Sequence, residues 1–252
     1  MGFVCELDFK YKYAIMETTM VEEKKQFKFD IDISKMNEAG LHFGHRTSRI
    51  HPKAKQYILG VKNAIHVFDL DKTAEKLEAA LEYIQKLVAE DKKIIFVGTK
   101  VQVKELLKSV AIECGVPYIN ERWLGGTFTN FKTLKKRIDH FNELTEQKAK
   151  GELEKYTKKE RLDIDKKLKD LEVKFGGIKN INSLPDAIFV LDMKKDFLAV
   201  KEARMKNVPV VAIADTNVDP GLADYPIPAT DDAISSVKYI LDKVKNVIIN
   251  KK

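Results

Sequence analysis

The sequence predicts a doubly wound α/β domain, a parallel sheet covered by helices on both faces and interrupted once by an inserted helical hairpin. Three observations predict it. Short continuous apolar runs rich in β-branched residues recur along the chain: IIFVG at 94–98, AIFVL at 187–191 and PVVAIA at 209–214. Such runs mark strands buried on both faces, because a strand with one wet face would alternate apolar and polar residues. Between them lie segments with apolar residues three and four apart, the spacing of one helix face. Right-handed crossovers then lead from strand and helix alternation to a doubly wound sheet.

The elements follow in order. YILG (57–60) and IHVF (65–68) read as strands joined by a VKNA turn. Asp71 is placed to cap a helix carrying Ala74, Leu77, Leu81, Ile84 and Val88 on one stripe. IIFVG follows, then a helix over about 100–114 closed by Gly115, then VPYI (116–119) as a second buried run. After AIFVL comes a helix near 196–206, then PVVAIA, then a last helix from about Asp232 to Val247.

The alternation breaks between VPYI and AIFVL. Phe131, Leu134, Ile138, Phe141 and Leu144 make one helical stripe, and Ile164, Leu168, Leu171 and Phe175 make a second. Between them Gly151 marks a turn, and Thr157 with Glu160 has capping-box spacing. The expectation is an antiparallel, coiled-coil hairpin of two arms, bracketed by Gly125-Gly126 and Gly176-Gly177. Its residues 130–175 carry 14 Lys and Arg against 10 Asp and Glu. The expected organisation is therefore a leader at 1–33, a discontinuous α/β domain at 34–129 and 176–247, the insertion at 130–175, and a tail at 248–252. Met16 and Met20 are alternative starts within the leader.

Composition limits the function classes. In 252 residues, 44% are hydrophobic and 33% charged, which describes a soluble, heavily charged globular protein. No apolar run approaches the roughly 20 residues that span a bilayer. Glu6, Asp8, Lys10 and Lys12 stand where a signal peptide would be apolar, so a cytoplasmic location is expected. Cys5 and Cys114 form no C-x-x-C pair and suit a reducing compartment. The net charge of +7 points weakly to a polyanionic partner.

The distribution of charge says more than its total. Residues 39–68 contain no acid, although an even spread of the 38 acids would put four or five there. That window holds Arg46, Arg49, Lys53, Lys55 and Lys62, with Asn63 in a turn beside them. A second acid-free window, 122–138, holds Arg122, Lys132, Lys135, Lys136 and Arg137, together with Gly125, Gly126, Thr127 and Asn130. Carboxylates near a phosphate backbone oppose the counterion release that drives binding, so their exclusion beside Lys and Arg suits an RNA surface. In this reading NERWLGGTFTN (120–130) is a pivot. Its glycines turn the chain off the sheet and let RNA approach, and Thr129 or Asn130 caps the next helix.

Other chemistries have less support. His42, His45 and His51 invite a metal, but no Cys or carboxylate accompanies them in their window, and phosphate donation or packing suits them better. FVGTK supplies one glycine where a phosphate loop needs several. Asp215, Asp219, Asp224, Asp231 and Asp232 lie among Pro220, Gly221, Pro226 and Pro228, so turn and cap roles outweigh a magnesium or acid/base site. Trp123 is expected in the core or beneath an RNA-facing loop. No catalytic residue, cofactor, metal or small-molecule substrate is expected. The alternative carried forward is a nucleotide-using α/β enzyme that lacks the standard phosphate-loop fingerprints.

Six segments together resemble a known family: GLHFGH (40–45), YILGVKNAIHVFDL (57–70), FVGTK (96–100), ERWLGGTFTNFKTL (121–134), FGGIKNINSLPDAIFVLD (175–192) and VVAIADTNVDPGLADYPIPATDDA (210–233). In this order they are similar to ribosomal protein S2 of the bacterial small subunit. The resemblance covers nearly everything beyond the leader. Ile50, His51 and Phe128 depart from the family's usual Trp, Asn and Leu. The resemblance implies a flavodoxin-like sheet with a protruding hairpin. It also implies a structural role in translation, bound to small-subunit ribosomal RNA between head and body, beside neighbouring small-subunit proteins. Among those partners it implies the messenger-binding protein S1.

Overall fold

In the computed structural model, residues 28–155 and 157–250 are described. The expectations for 1–27, including the alternative starts, lie outside them. Helix α1 (Ile33–Glu38) precedes strand β1 (Phe43–Arg46), a 3-10 turn (Pro52–Tyr57), β2 (Ile58–Lys62) and β3 (Ile65–Phe68). Then come α2 (Leu70–Ala89), β4 (Ile94–Val97), α3 (Lys104–Cys114) and β5 (Tyr118–Ile119). The chain continues with α4 (Phe131–Ala149), α5 (Lys158–Phe175), β6 (Ala187–Val190), α6 (Phe197–Met205), β7 (Val210–Ala214), β8 (Tyr225–Pro228) and α7 (Ile234–Ile249).

Five strands form a parallel sheet in the order β5-β4-β6-β7-β8. Counted within the sheet this is 2-1-3-4-5, the flavodoxin-like winding. Every residue of β4, β6 and β7 is buried, and alternate residues face opposite layers. Ile94, Phe96, Ala187, Phe189, Val211 and Ile213 pack with α2, α3 and α7. Ile95, Val97, Ile188, Val190, Val210 and Ala212 pack with α4, α5 and α6. Two covered faces are why these strands read as unbroken apolar runs.

The helix pair α4 and α5 is rooted in the second layer: Leu134, Ile138, Phe141, Leu168 and Phe175 share its core. Thr157 caps α5 with the reciprocal Glu160 contact that the spacing predicts. Lys148 Nζ meets Asp165 at 2.7 Å, and Asn142 donates to the carbonyl of Lys179 at 3.2 Å, so the helices run antiparallel. Within the two helices the buried positions lie in the half nearer the sheet, and Leu153 is buried in the turn that joins them.

Several expectations are corrected. The cap of α2 is Asp69, whose carboxylate accepts the Asp71 amide at 3.2 Å, because Leu70 already has helical geometry. The turn between β2 and β3 is Asn63-Ala64 alone, with φ of 51° and 60°, and Val61 and Lys62 belong to the strand. VPYI contributes only Tyr118 and Ile119, at the sheet edge. YPIP, expected only as turn, is the opposite edge strand β8, the place where a sheet tolerates proline. Residues 28–33, expected within the leader, pack on the domain: Ile31 is buried, and Lys28 Nζ pairs with Glu82 at 2.7 Å. β1 was not foreseen. It joins β3 and β2 in a separate three-stranded antiparallel sheet.

Candidate RNA interface

The first acid-free window builds that small sheet and the 3-10 turn beside it. Its left-handed Asn63 and Ala64 give the two-residue turn geometry that matches strand twist. Arg46, Arg49, Lys55, Lys62 and Asn63 are all exposed. Among the described residues no carboxylate pairs with Arg46, Arg49, Lys55 or Lys62. Lys53 differs, since its ammonium meets Asp219 at 2.7 Å.

The window is fastened to the carboxyl end of β7. The His45 amide donates to Thr216 Oγ1 at 3.0 Å, and the His51 amide donates to the Thr216 carbonyl at 2.7 Å. A side chain on Gly44 would place a Cβ 2.7 Å from Thr216 Cγ2, so glycine permits the approach. His45 Nδ1 lies 3.1 Å from buried Asp215, and its Nε2 lies 2.8 Å from Asn217 Nδ2. The Asp215 hydrogen bond raises the His45 pKa above 6.5 against the opposing effect of burial. His42 moves the other way, lowered by burial and by nearby Lys62. Among the described residues no three His, Cys, Asp or Glu side chains are grouped to hold a metal ion.

The second window sits at the β5 edge, and α6 organises it. Glu202, buried on α6, accepts from the amides of Gly126 (2.8 Å), Phe128 (3.0 Å) and Thr129 (3.2 Å). It also accepts from Trp123 Nε1 and the Thr129 hydroxyl, each at 3.3 Å. Burial alone would raise the Glu202 pKa, but these donors outweigh it and hold the carboxyl below its ordinary value. Trp123 is in the core, edge-on to Phe128 at 5.0 Å. Thr127 is buried, its hydroxyl donating to the Leu124 carbonyl at 2.6 Å. Asn130 occupies the N-cap position of α4 but makes no side-chain cap bond, and Thr129 is engaged by Glu202 instead. Gly126 has φ of 92° and makes the turn, while Gly125 lies outside the left-handed region. Arg122, Gly125, Asn130, Lys132, Lys136 and Arg137 are exposed. Lys135 is half-buried between Asp139 (2.9 Å) and Asn182 (2.8 Å). The amides that could have met a phosphate are thus occupied by a carboxylate.

A third polar cluster closes the crevice at the carboxyl ends of β4 and β6, where a doubly wound sheet ordinarily takes its ligand. Lys100 Nζ meets Asp232 at 2.6 Å, Asp231 at 2.8 Å and Asp192 at 3.5 Å. Burial opposes its charge, but the Asp231 and Asp232 hydrogen bonds prevail and raise its pKa. Asp231 is pushed up to about 7, first by burial and then by the charges of Asp192 and Asp215. Asp196, raised by burial, accepts from the Thr99 hydroxyl at 2.8 Å. The aspartates foreseen in turn and cap roles divide: Asp219 accepts the Gly221 amide and Asp224 the Val210 amide, whereas Asp215, Asp231 and Asp232 join this network.

A family model for ribosomal protein S2 matches residues 36–251. The chain belongs to the ribosomal protein S2 family. Within that family it is a structural protein of the small ribosomal subunit, acting in translation. For the S2 fold the most informative residue that sequence reasoning missed is Glu202. An acid in the middle of an amphipathic helix carries no local mark, and only the buried face on which it falls betrays it. No helix among the described residues is long and apolar enough to cross a membrane.

Proposed function

We propose that this S2 family member binds small-subunit ribosomal RNA chiefly through the tract 42–63. One observation carries the reading: Arg46 and Lys62 on the small sheet, Arg49 in the loop after β1 and Lys55 in the 3-10 turn all stand exposed, with no acid in the surrounding thirty residues. Among the described residues no carboxylate pairs with these cations, so phosphates would meet charge that is not already neutralised there. In the second tract, Arg122, Lys132, Lys136 and Arg137 supply a further basic surface, while Glu202 withdraws the loop amides from it. The family resemblance adds a position between head and body, a contact with protein S1, and a place in cytoplasmic ribosomes. Residues 34–129 with 176–247 act as the domain, and 130–175 as an inserted grip on neighbours.

The nucleotide-enzyme alternative meets an obstacle of sign. The crevice that would hold phosphate carries Asp192, Asp196, Asp231 and Asp232, and its ammonium, Lys100, is already engaged by three of them. That supports a scaffold role over phosphate chemistry.

The test is co-sedimentation with small subunits in a sucrose gradient, comparing wild type with Arg46→Gln, Arg49→Gln, Lys62→Gln. The triple variant should incorporate poorly in competition. Its RNA affinity should fall less steeply with salt, the slope dropping by roughly 2 to 3 for three lost phosphate contacts. Equal incorporation and an unchanged slope would remove the tract from the interface.

A further inference from the structure

The three-stranded sheet turns one face into the domain and the other to solvent. Phe43 pairs with Val67 and Arg46 with Ile65, while Gly60 and Lys62 pair with Val67 and Ile65 from the other side. Paired residues share a face, and residues 65 and 67 are two apart on one strand. These six residues therefore make two rows, Phe43–Val67–Gly60 and Arg46–Ile65–Lys62, about 7 Å apart along the strands. The opposite face holds His66 and Phe68, both buried.

The outward face combines three properties. Phe43 is 48% exposed, an unusual cost for an aromatic ring on a sheet that has a buried side available. Its ring is supported from its own side: His42 lies against it with centroids 3.9 Å apart, and Gly40 is placed so that a Cβ there would touch Phe43 Cδ2 at 3.6 Å. Gly60, two strands away, has nothing within 4 Å of where its Cβ would point, so that end of the row is open. The second row supplies a guanidinium and an ammonium that no carboxylate neutralises among the described residues.

We propose that this face is a stacking platform for an unpaired nucleobase of RNA. A flat π surface takes any base, and cations one row away meet the flanking phosphate; single-stranded nucleic acid is held by this pairing. Charge selects the occupant, because a protein surface docking on Phe43 would have to bring acids against Arg46 and Lys62 as well as an apolar contact. The inference rests on the RNA reading of the tract and goes beyond it. Backbone contact alone needs the cations and leaves Phe43 without a role.

The experiment uses the full-length chain with a short oligoadenylate and a duplex RNA of equal length. Phe43→Ala should bind the single strand roughly tenfold more weakly and the duplex as wild type does, with the salt slope unchanged. Phe43→Leu, which keeps an apolar cover without a π face, should behave as Phe43→Ala and guards against a folding defect. Phe43→Trp should retain affinity and lose fluorescence on binding the single strand, against the constant background of buried Trp123. If Phe43→Ala and Phe43→Leu bind the single strand like wild type while Arg46→Gln with Lys62→Gln weakens it, the platform is overturned and the basic-tract reading stands. If the Phe43 variants keep full RNA affinity but enter small subunits poorly, the face is a protein contact and the platform is again overturned. If wild type binds neither RNA, both readings fall.

Discussion

Glu202 Oε1 accepts the backbone amide of Gly126 at 2.8 Å, joining a buried carboxylate on one helix to the sharpest turn of the glycine loop. With Oε2 on Phe128 and Thr129, this one side chain holds the loop that launches the inserted helices. It acts where an anion would sit, yet the anion belongs to the protein.

Replacing Glu202 with Ala should therefore cost about 3 kcal/mol, since several donors lose their acceptor together and are partly buried. Glu202→Gln should cost less, because one oxygen still accepts. Urea titration with tryptophan fluorescence reads both, as Trp123 donates to the same carboxylate. The depressed Glu202 pKa adds a pH sign. Its contribution is present above the ordinary value of 4.5 and is lost as pH falls through the lower folded value, so the variants should approach wild type in acid. A Glu202→Ala protein as stable as wild type at neutral pH would show that the loop holds itself.

The glycine pairs should prove unequal. Gly125→Ala should be nearly neutral, since its Cβ would meet only Leu198 at an ordinary 3.7 Å. Gly126→Ala should cost about 1–2 kcal/mol, from the φ of 92°. Gly177→Ala should be the most damaging of the three, because its Cβ would lie 2.1 Å from the Tyr118 carbonyl oxygen and push helix α5's exit off strand β5. Denaturation midpoints in any other order would contradict this account.

The buried Asp231 should make the crevice lose stability as pH rises from acid towards neutrality. A carboxyl raised from 3.8 to about 7 resists ionisation in the fold, so wild type gives up stability as pH climbs between those values. Asp231→Asn removes that ionisation and leaves Lys100 with Asp192 and Asp232. The variant should gain on wild type as pH rises from about 4 to about 7 in paired urea titrations, and keep a constant advantage above that. A difference that stays flat across the rise would mean that Lys100 keeps Asp231 ionised throughout.

The two basic tracts should separate on mutation. Lys132→Glu with Lys136→Glu reverses exposed charges on α4 while Leu134 and Ile138 keep the helix in the core. If the second tract contributes RNA contacts, this pair should fold normally and assemble less well in competition, with a smaller loss than Arg46→Glu with Arg49→Glu. Wild-type assembly by the Lys132 and Lys136 variant would confine recognition to the first tract.

Local chemistry determined much of this protein from the sequence alone. The buried runs at 94–97, 187–190 and 210–214, the stop at Gly115 and the capping box of Thr157 and Glu160 each depend on neighbours a few residues away, and each is legible there. The acid-free windows were legible too, because an excluded residue type leaves its mark at every position of a tract. Tertiary structure alone decided what depends on distant partners. YPIP is a strand only because β7 lies beside it, and Phe43–Arg46 is one only because β3 returns to pair with it. It also decided that Glu202 would occupy the glycine loop's amides and that Lys100 would gather Asp192, Asp231 and Asp232, contacts that span up to 132 residues of chain. Burial removes water as the competing partner, and so a lone acid or lysine takes its role from the side of the fold on which the chain delivers it.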